Sequence, residues 1–134
     1  MFPGILAAVP LIMHGLANVA GFAASWLPGT AGFKSESWLL SAGVTVKSPA
    51  GHLFGVLWLL STAVLVASGA GLLAHAAWWR WAAVSGAALS LVVILLWLKA
   101  VPPGAYAGAV FDLLVIAALA LPWGDAIVRW LKSL

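Results

Sequence analysis

The residues with the clearest capacity for chemistry are a few polar side chains inside long apolar stretches. Asp112 lies within the segment from Tyr106 to Leu121, which is otherwise almost wholly apolar, and His14 and Asn18 lie in an apolar segment near the start of the chain. A carboxylate at the centre of a membrane helix costs about 2.5–3.5 kcal/mol, so it must face other protein groups or water. Asp112 therefore defines an interior polar position that the other helices have to satisfy.

The other polar side chains recur at depths similar to that of Asp112. His14 and Asn18 share one face of their helix, because residues four apart lie above one another. We predict that these residues meet inside a helix bundle and bind a ligand there. The candidate ligand-binding residues are His14, Asn18, Trp58, Ser61 and Asp112, and the additional contributors expected from the outer end are His52, Trp97, Lys99 and Tyr106.

Several uses of this group of residues are open. It could be a proton-exchanging pair, a hydrogen-bonding anchor for a quinone or another apolar ligand with a polar head, or a weak metal site. The structural alternative is that His14 and Asp112 satisfy one another, or that Lys99 pairs with Asp112, and simply hold helices together. We predict no metal, since His14 and Asp112 supply only two ligands and His52 would have to move inward.

The motifs of common enzyme classes are missing from the sequence. There is no cysteine, which excludes thiol catalysis and disulfides, and there is no nucleophile elbow, HExxH motif or glycine-rich phosphate cradle. Six basic residues stand against three acidic ones, and the basic residues lie near the ends of apolar runs rather than in one cluster. We therefore expect no nucleic-acid-binding protein, and the sequence favours a non-enzymatic protein over an enzyme.

The composition places the chain in a membrane. Hydrophobic residues make up 65% and charged residues 7% of its 134 residues, and the mean hydropathy is +1.15. Soluble domains carry about a quarter charged residues. The first basic residue is Lys34, so the opening apolar run lacks the charged start of a signal peptide and is expected to be a retained helix.

Apolar runs of about 20 residues match the thickness of a bilayer as helices. We predict one domain over residues 1–134, an all-α integral membrane bundle of four transmembrane helices with a C-terminal amphipathic helix in the membrane interface. The predicted spans cover about residues 5–24, 51–73, 78–98 and 104–121, with an outer loop over 25–50 and the interfacial tail over 123–134. The basic tail suits an anionic inner leaflet, so we place both termini in the cytoplasm.

Other residues of the predicted helices point to packing and anchoring. The small residues Ala82, Gly86 and Ser90 recur at four-residue spacing, which lets helices approach closely. If this stripe faces the lipid, it would receive another protein chain. The nine tryptophans are expected to gather mainly at the two membrane interfaces.

Four segments carry a resemblance to known proteins. They are LIMHGLANVAGF, GHLFGVLWLLSTAVLVASG, the turn WWRW, and GAVFDLLVIAALAL. With these segments the chain resembles a group of small bacterial four-helix membrane proteins and, more distantly, the DoxX-like proteins. The DoxX-like proteins include a subunit of a thiosulfate:quinone oxidoreductase, so the resemblance implies a quinone-facing subunit in the bacterial cytoplasmic membrane. The lack of cysteine argues against thiol-based sulfur chemistry in this chain.

The leading hypothesis is a small non-enzymatic membrane protein that binds an apolar or quinone-like ligand, or a lipid, within its helix bundle. The first alternative is an accessory subunit of a larger respiratory or photosynthetic membrane complex, and the second is the membrane subunit of a quinone-linked oxidoreductase. The expected partners are membrane lipids, together with either a larger complex or further copies of the chain. The identity of a bound quinone or lipid is open.

Overall fold

The protein is all α-helical in its computed structural model, which describes residues 2–133. This confirms the predicted all-α class, and the described residues contain no β-strand. The helices are α1 (Phe2–Ala17), α2 (Val19–Trp26), α3 (Pro49–Leu73), α4 (Trp79–Leu96), α5 (Gly104–Ala120) and α6 (Gly124–Lys132).

Three helical stretches are long and apolar enough to cross a membrane. They cover residues 3–26, which combine α1 with α2, and the helices α3 and α4. Helix α5 joins them as a fourth only when it is taken together with α6, and the axes of α5 and α6 are bent by 94°. The described residues therefore contain three, or up to four, candidate membrane spans.

The helix ends follow local sequence signals. Ser48 caps α3 by accepting a hydrogen bond from the amide of Gly51 at 3.2 Å, and Pro49 occupies the first turn, where its missing N–H costs nothing. Pro103 is the residue immediately before α5, and Pro122 follows the end of that helix. Helix α1 runs through Pro10, and the helical pattern breaks only at Asn18, where α1 passes into α2.

Helix α3 lies at the centre of the bundle. It packs against α1, α2 and α4, while α5 packs on α4. Glycines allow the close approach: a Cβ added to Gly15 or to Gly86 would lie 2.9 Å from a side-chain carbon of Leu65. Gly86 is therefore buried against α3, and Ser90 on the same helix is also buried. These two residues of the stripe face protein rather than lipid, whereas Ala82 is half-buried.

The connection from α2 to α3, over residues 27–48, folds over the end of the bundle opposite the two chain termini, which we call the outer end. Its backbone amide at Lys34 donates to the carbonyl of Ala100 in the α4–α5 connection, and the amide at Leu39 donates to the carbonyl of Leu96 at the end of α4. Both distances are 2.8 Å. Beneath this loop lies an aromatic cluster of Phe33, Trp38, Phe54, Trp58 and Trp97.

The tryptophans differ in burial. Trp58, Trp79 and Trp97 are buried core residues, which corrects the expectation that Trp79 and Trp97 lie at the interfaces, and Trp38 is half-buried. The exposed ones remain suited to the interfaces, and they are Trp26, Trp78, Trp81, Trp123 and Trp130.

Arg80 fixes the direction of α6. Its Nε donates to the carbonyl of Leu119 at 2.8 Å, near the end of α5, and its Nη1 pairs with Asp125 in the first turn of α6. A Cβ at Gly124 would collide with the same Leu119 carbonyl, so the tight bend needs a glycine there. One cation of α4 thus ties together the last turn of α5 and the first turn of α6.

Replacing Arg80 by methionine is expected to loosen α6. The carbonyl of Leu119 loses its donor, which costs about 1.5 kcal/mol, whereas the ion pair to the exposed Asp125 adds little. Amide hydrogen exchange in detergent should therefore become about tenfold faster in α6. Arg129→Met, which removes an exposed cation of the same helix, is the control and should leave exchange unchanged. Equal exchange in both variants would contradict the assigned role.

Candidate functional site

The centre of the site is a hydrogen bond between a histidine of α1 and an aspartate of α5. Nε2 of His14 lies 2.8 Å from Oδ1 of Asp112, and the Asp112 side chain is completely buried. The ring of His14 also packs on Phe111, with the ring centroids 4.9 Å apart. Asp112 thus receives a partner from the first helix of the chain, as its depth in the apolar segment predicts.

A chain of hydroxyl and amide groups extends this pair through the bundle. Oγ of Ser90 lies 3.3 Å from Nε2 of His14, and Nδ2 of Asn18 donates to the Ser90 oxygen at 3.1 Å and to Oγ of Ser61 at 3.4 Å. Ser61 in turn donates to the carbonyl of Gly86 at 3.1 Å. The network joins the α1–α2 break, α3, α4 and α5, so one polar cluster connects all the long helices.

Ser90 is the functional residue that sequence reasoning missed. It was placed in a small-residue stripe, and small residues on membrane helices most often serve packing. The sequence does contain one indication of a polar role. A serine carries a hydroxyl group, which needs a hydrogen-bond partner when it is buried. The structure shows that Ser90 does both, since it is fully buried in the bundle and bonds to Asn18 and His14.

A cavity of about 260 Å³ adjoins the cluster on its outer side. Its walls come from α1, α2, α3, α5, the end of α4 and the loops above them, and His14 and Asn18 are the polar side chains among them. Trp58 closes one side by packing against Gly21, where any side chain would collide with its indole ring. The remaining lining residues are Ala17, Ala20, Phe33, Ile94, Val101, Pro102, Gly104, Ala105 and Gly108.

His14 lines this cavity. A Cβ added to Gly108, another lining residue, would lie 2.9 Å from Cε1 and 3.4 Å from Nδ1 of His14, so this edge of the ring lies beside α5 at the cavity. Nδ1 has no hydrogen bond to any residue within 2–133. The glycine therefore leaves space beside this nitrogen. The Nε2 edge serves the protein, and the Nδ1 edge is available to a ligand.

The charge of the His14–Asp112 pair determines what Nδ1 offers. A net charge is costly in a low-dielectric interior, so a neutral pair is favoured. A neutral pair consists either of imidazolium with carboxylate or of neutral imidazole with carboxylic acid. In both arrangements the bond at Nε2 leaves a proton on Nδ1. The cavity then presents an N–H donor, which suits a ligand carbonyl oxygen.

The second carboxyl oxygen of Asp112 completes the picture of an enclosed acid. Oδ2 is buried without a hydrogen-bond partner among the described residues. An unpaired carboxylate oxygen in this position would be costly, which favours the arrangement of neutral imidazole with carboxylic acid. Asp112 does not line the cavity, and it acts on a ligand only through His14.

Four of the candidate residues remain outside this cluster. His52 stacks on Trp26 with ring centroids 4.7 Å apart, and Trp97 is buried in the aromatic cluster. Lys99 is exposed at the outer end and does not pair with Asp112, and the hydroxyl of Tyr106 donates to the carbonyl of Leu98 at 3.1 Å. The structure therefore brings together His14, Asn18, Ser61 and Asp112, adds Trp58 in the cavity wall, and separates the outer-end group.

Metal binding finds no geometric support in the described part of the chain. No group of three or more His, Cys, Asp or Glu side chains lies close enough together there to hold an ion. The polar cluster consists of one imidazole, one carboxyl, one amide and two hydroxyl groups, which is a hydrogen-bonding site.

Fold and site together define a class: an all-α protein of the integral membrane type with a polar cluster inside its helix bundle. The model of the family described as "Domain of unknown function (DUF7144)" matches residues 4–124, and the chain belongs to that family. The matched range contains every residue of the polar cluster and ends at the first residue of α6. Searches of curated proteins and of solved structures found no match.

A double-variant cycle tests the His14–Asp112 pair. His14→Leu leaves a buried acid without its partner and should lower the free energy of unfolding by about 3–5 kcal/mol. Asp112→Leu leaves an unpaired imidazole, and burying it costs less free energy than burying an unpaired acid. The double variant leaves neither group unpaired. The double variant should therefore lose at least about 2 kcal/mol less than the sum of the single losses, as measured by denaturant titration in mild detergent. Strictly additive losses would contradict a direct pair.

Proposed function

We propose that the protein is a non-enzymatic integral membrane protein that binds an apolar ligand with a polar, carbonyl-bearing head, such as a quinone-like molecule or a lipid. The head occupies the cavity beside His14, and Nδ1 of His14 donates to its carbonyl oxygen. The observation that carries this proposal is a ring nitrogen without a protein partner, facing an apolar cavity of about 260 Å³.

The surroundings of His14 support binding rather than a purely structural role. A pair that served only to satisfy Asp112 would need no cavity on the other edge of the imidazole. Asp112, Ser90 and Asn18 fix the ring from the Nε2 side, and such outer partners orient a ligand-binding imidazole. The apolar wall around it fits the usual binding pocket, which is mostly apolar with a few placed polar groups.

The membrane arrangement forms part of the same proposal. Helices α1 with α2, α3, α4 and α5 act as four spans, and α6 lies along the membrane interface with Arg129 and Lys132 toward anionic headgroups. The perpendicular bend between α5 and α6 agrees with this arrangement. Both termini are then on the cytoplasmic side of a bacterial cytoplasmic membrane, and the cavity lies toward the outer leaflet.

The two alternatives receive less support. An accessory subunit would need a lipid-facing surface for its partner, and the stripe with Gly86 and Ser90 is already covered by α3. A quinone-linked oxidoreductase subunit would use the same cavity but needs a redox partner for the electrons. The binding function requires neither.

Purification from its own membrane tests the proposal. We expect native mass spectrometry in mild detergent to show a bound small molecule, which extraction then identifies as a carbonyl-bearing apolar compound. Ala105→Trp fills the cavity and should abolish this binding. His14→Leu removes the donor, and so does His14→Leu combined with Asp112→Leu, which leaves no acid unpaired. Both should weaken binding about tenfold, because a buried hydrogen bond contributes about 1.5 kcal/mol.

The matched control is Ala107→Trp. Ala107 lies on the same helix, is exposed, and does not line the cavity, so its variant should retain the bound molecule. Retention of the molecule by Ala105→Trp would reject the cavity as the site. Equal affinity in His14→Leu and in the unaltered protein would reject His14 as the anchor.

A further inference from the structure

A second space lies on the inner side of the His14–Asp112 pair. It is an apolar groove of about 320 Å³ between α1, α5 and α6, with Trp79 of α4 at its base. All of its lining residues are apolar. They include Leu6 and Pro10 from α1, Leu114 and Ala118 from α5, and Trp130 from α6. Several of these side chains, among them Leu6, Leu114 and Trp130, are more than half exposed, so the groove opens to the surroundings of the bundle.

The groove and the cavity occupy the same seam. Helix α1 packs on α3 and α5 packs on α4, which leaves α1 and α5 without close backbone packing on one another. From α1 and the residue after it, positions 6, 7, 10 and 11 line the groove, and positions 14, 17 and 18 line the cavity. From α5, positions 104, 105 and 108 line the cavity, and positions 111, 114, 115, 118 and 119 line the groove.

A side-chain hydrogen bond between α1 and α5 crosses the seam. His14 bonds to Asp112 and packs on Phe111 at the point where the cavity ends and the groove begins. From Asn18 to Leu6 the seam extends about 18 Å along α1, at 1.5 Å per residue. Its outer part carries polar side chains and its inner part carries none, which is the polarity of a molecule with one polar end and one hydrocarbon chain.

We infer that the groove holds the hydrocarbon tail of the same ligand whose head lies in the cavity. The ligand is then an amphiphile with a single long chain, and its tail passes His14 on the membrane-facing side of the seam. This inference rests on the proposed function, because it takes the head position from it. The occupant follows from the continuity of the two spaces along α1 and α5 and from the uniformly apolar lining of the groove.

The position of the tail, rather than the affinity it adds, is the quantity to measure. A hydrocarbon chain moves from lipid into the groove without leaving water, so its affinity gain is small. Two photoreactive probes report position directly. Both are a dimethoxybenzoquinone with a chain of about 18 Å, matched to the seam length. One carries a diazirine next to the ring, and the other carries it at the end of the chain.

With the protein in lipid nanodiscs, the ring probe should label the cavity walls, and the chain-end probe should label the groove, chiefly Leu6 and Trp130. An excess of the same ring without a chain should lower both labelling yields at least about fivefold, because it occupies the head site. Leu114→Trp and Ala118→Trp narrow the groove and should remove chain-end labelling there. Both variants should leave ring labelling intact.

The matched control is Leu113→Trp, which alters an exposed neighbour outside the groove and should change neither pattern. Ring labelling in the cavity with chain-end labels spread over all membrane-facing helices would overturn the tail inference and leave the proposed function standing. Absence of competed labelling by both probes would reject the head site as well. Chain-end labelling of the groove that the ring alone fails to compete would mean that a separate lipid binds there, and it would also overturn the inference.

Discussion

A single acid in an apolar helix sets the main constraint on this structure. Asp112 is fully buried on α5, and it is tolerated because His14 reaches it from α1 and because the pair can remain neutral. Everything that orients His14 follows from this requirement. Ser90 lies beside its Nε2 nitrogen and is bonded by Asn18, and Ser61 ties the amide of Asn18 to the backbone of α4. The polar network is thus a chain of consequences that begins with one carboxyl group.

Much of the architecture was predictable because hydrophobic runs of membrane length leave few options. The all-α class and the inward orientation of His14, Asn18 and Asp112 follow from helical spacing and from the cost of an unpaired charge in lipid. Spacing cannot show which side of a helix faces another helix when all sides are apolar. For that reason the stripe of Gly86 and Ser90 could not be assigned to α3, and Trp79 and Trp97 could not be separated from the interface tryptophans.

The outer-end residues illustrate a second limit of sequence reasoning. His52, Lys99 and Tyr106 lie at a suitable height, but the loop over residues 27–48 and the aromatic cluster beneath it take part of the same space. Loop geometry depends on long-range backbone bonds such as the one from Lys34 to Ala100, which no local pattern encodes. The seam between α1 and α5 could not be predicted from the sequence either. It arises because α1 packs on α3 while α5 packs on α4.

The separation of the paired residues along the chain has a consequence for biosynthesis. His14 and Asp112 are 98 positions apart, and at about 5–20 residues per second the ribosome needs about 5 to 20 s to make the intervening chain. During that time the imidazole of the first helix lacks its acidic partner, although Ser61 and Ser90 are made before Asp112. The polar network of the first helix is therefore completed only when the last long helix has been made.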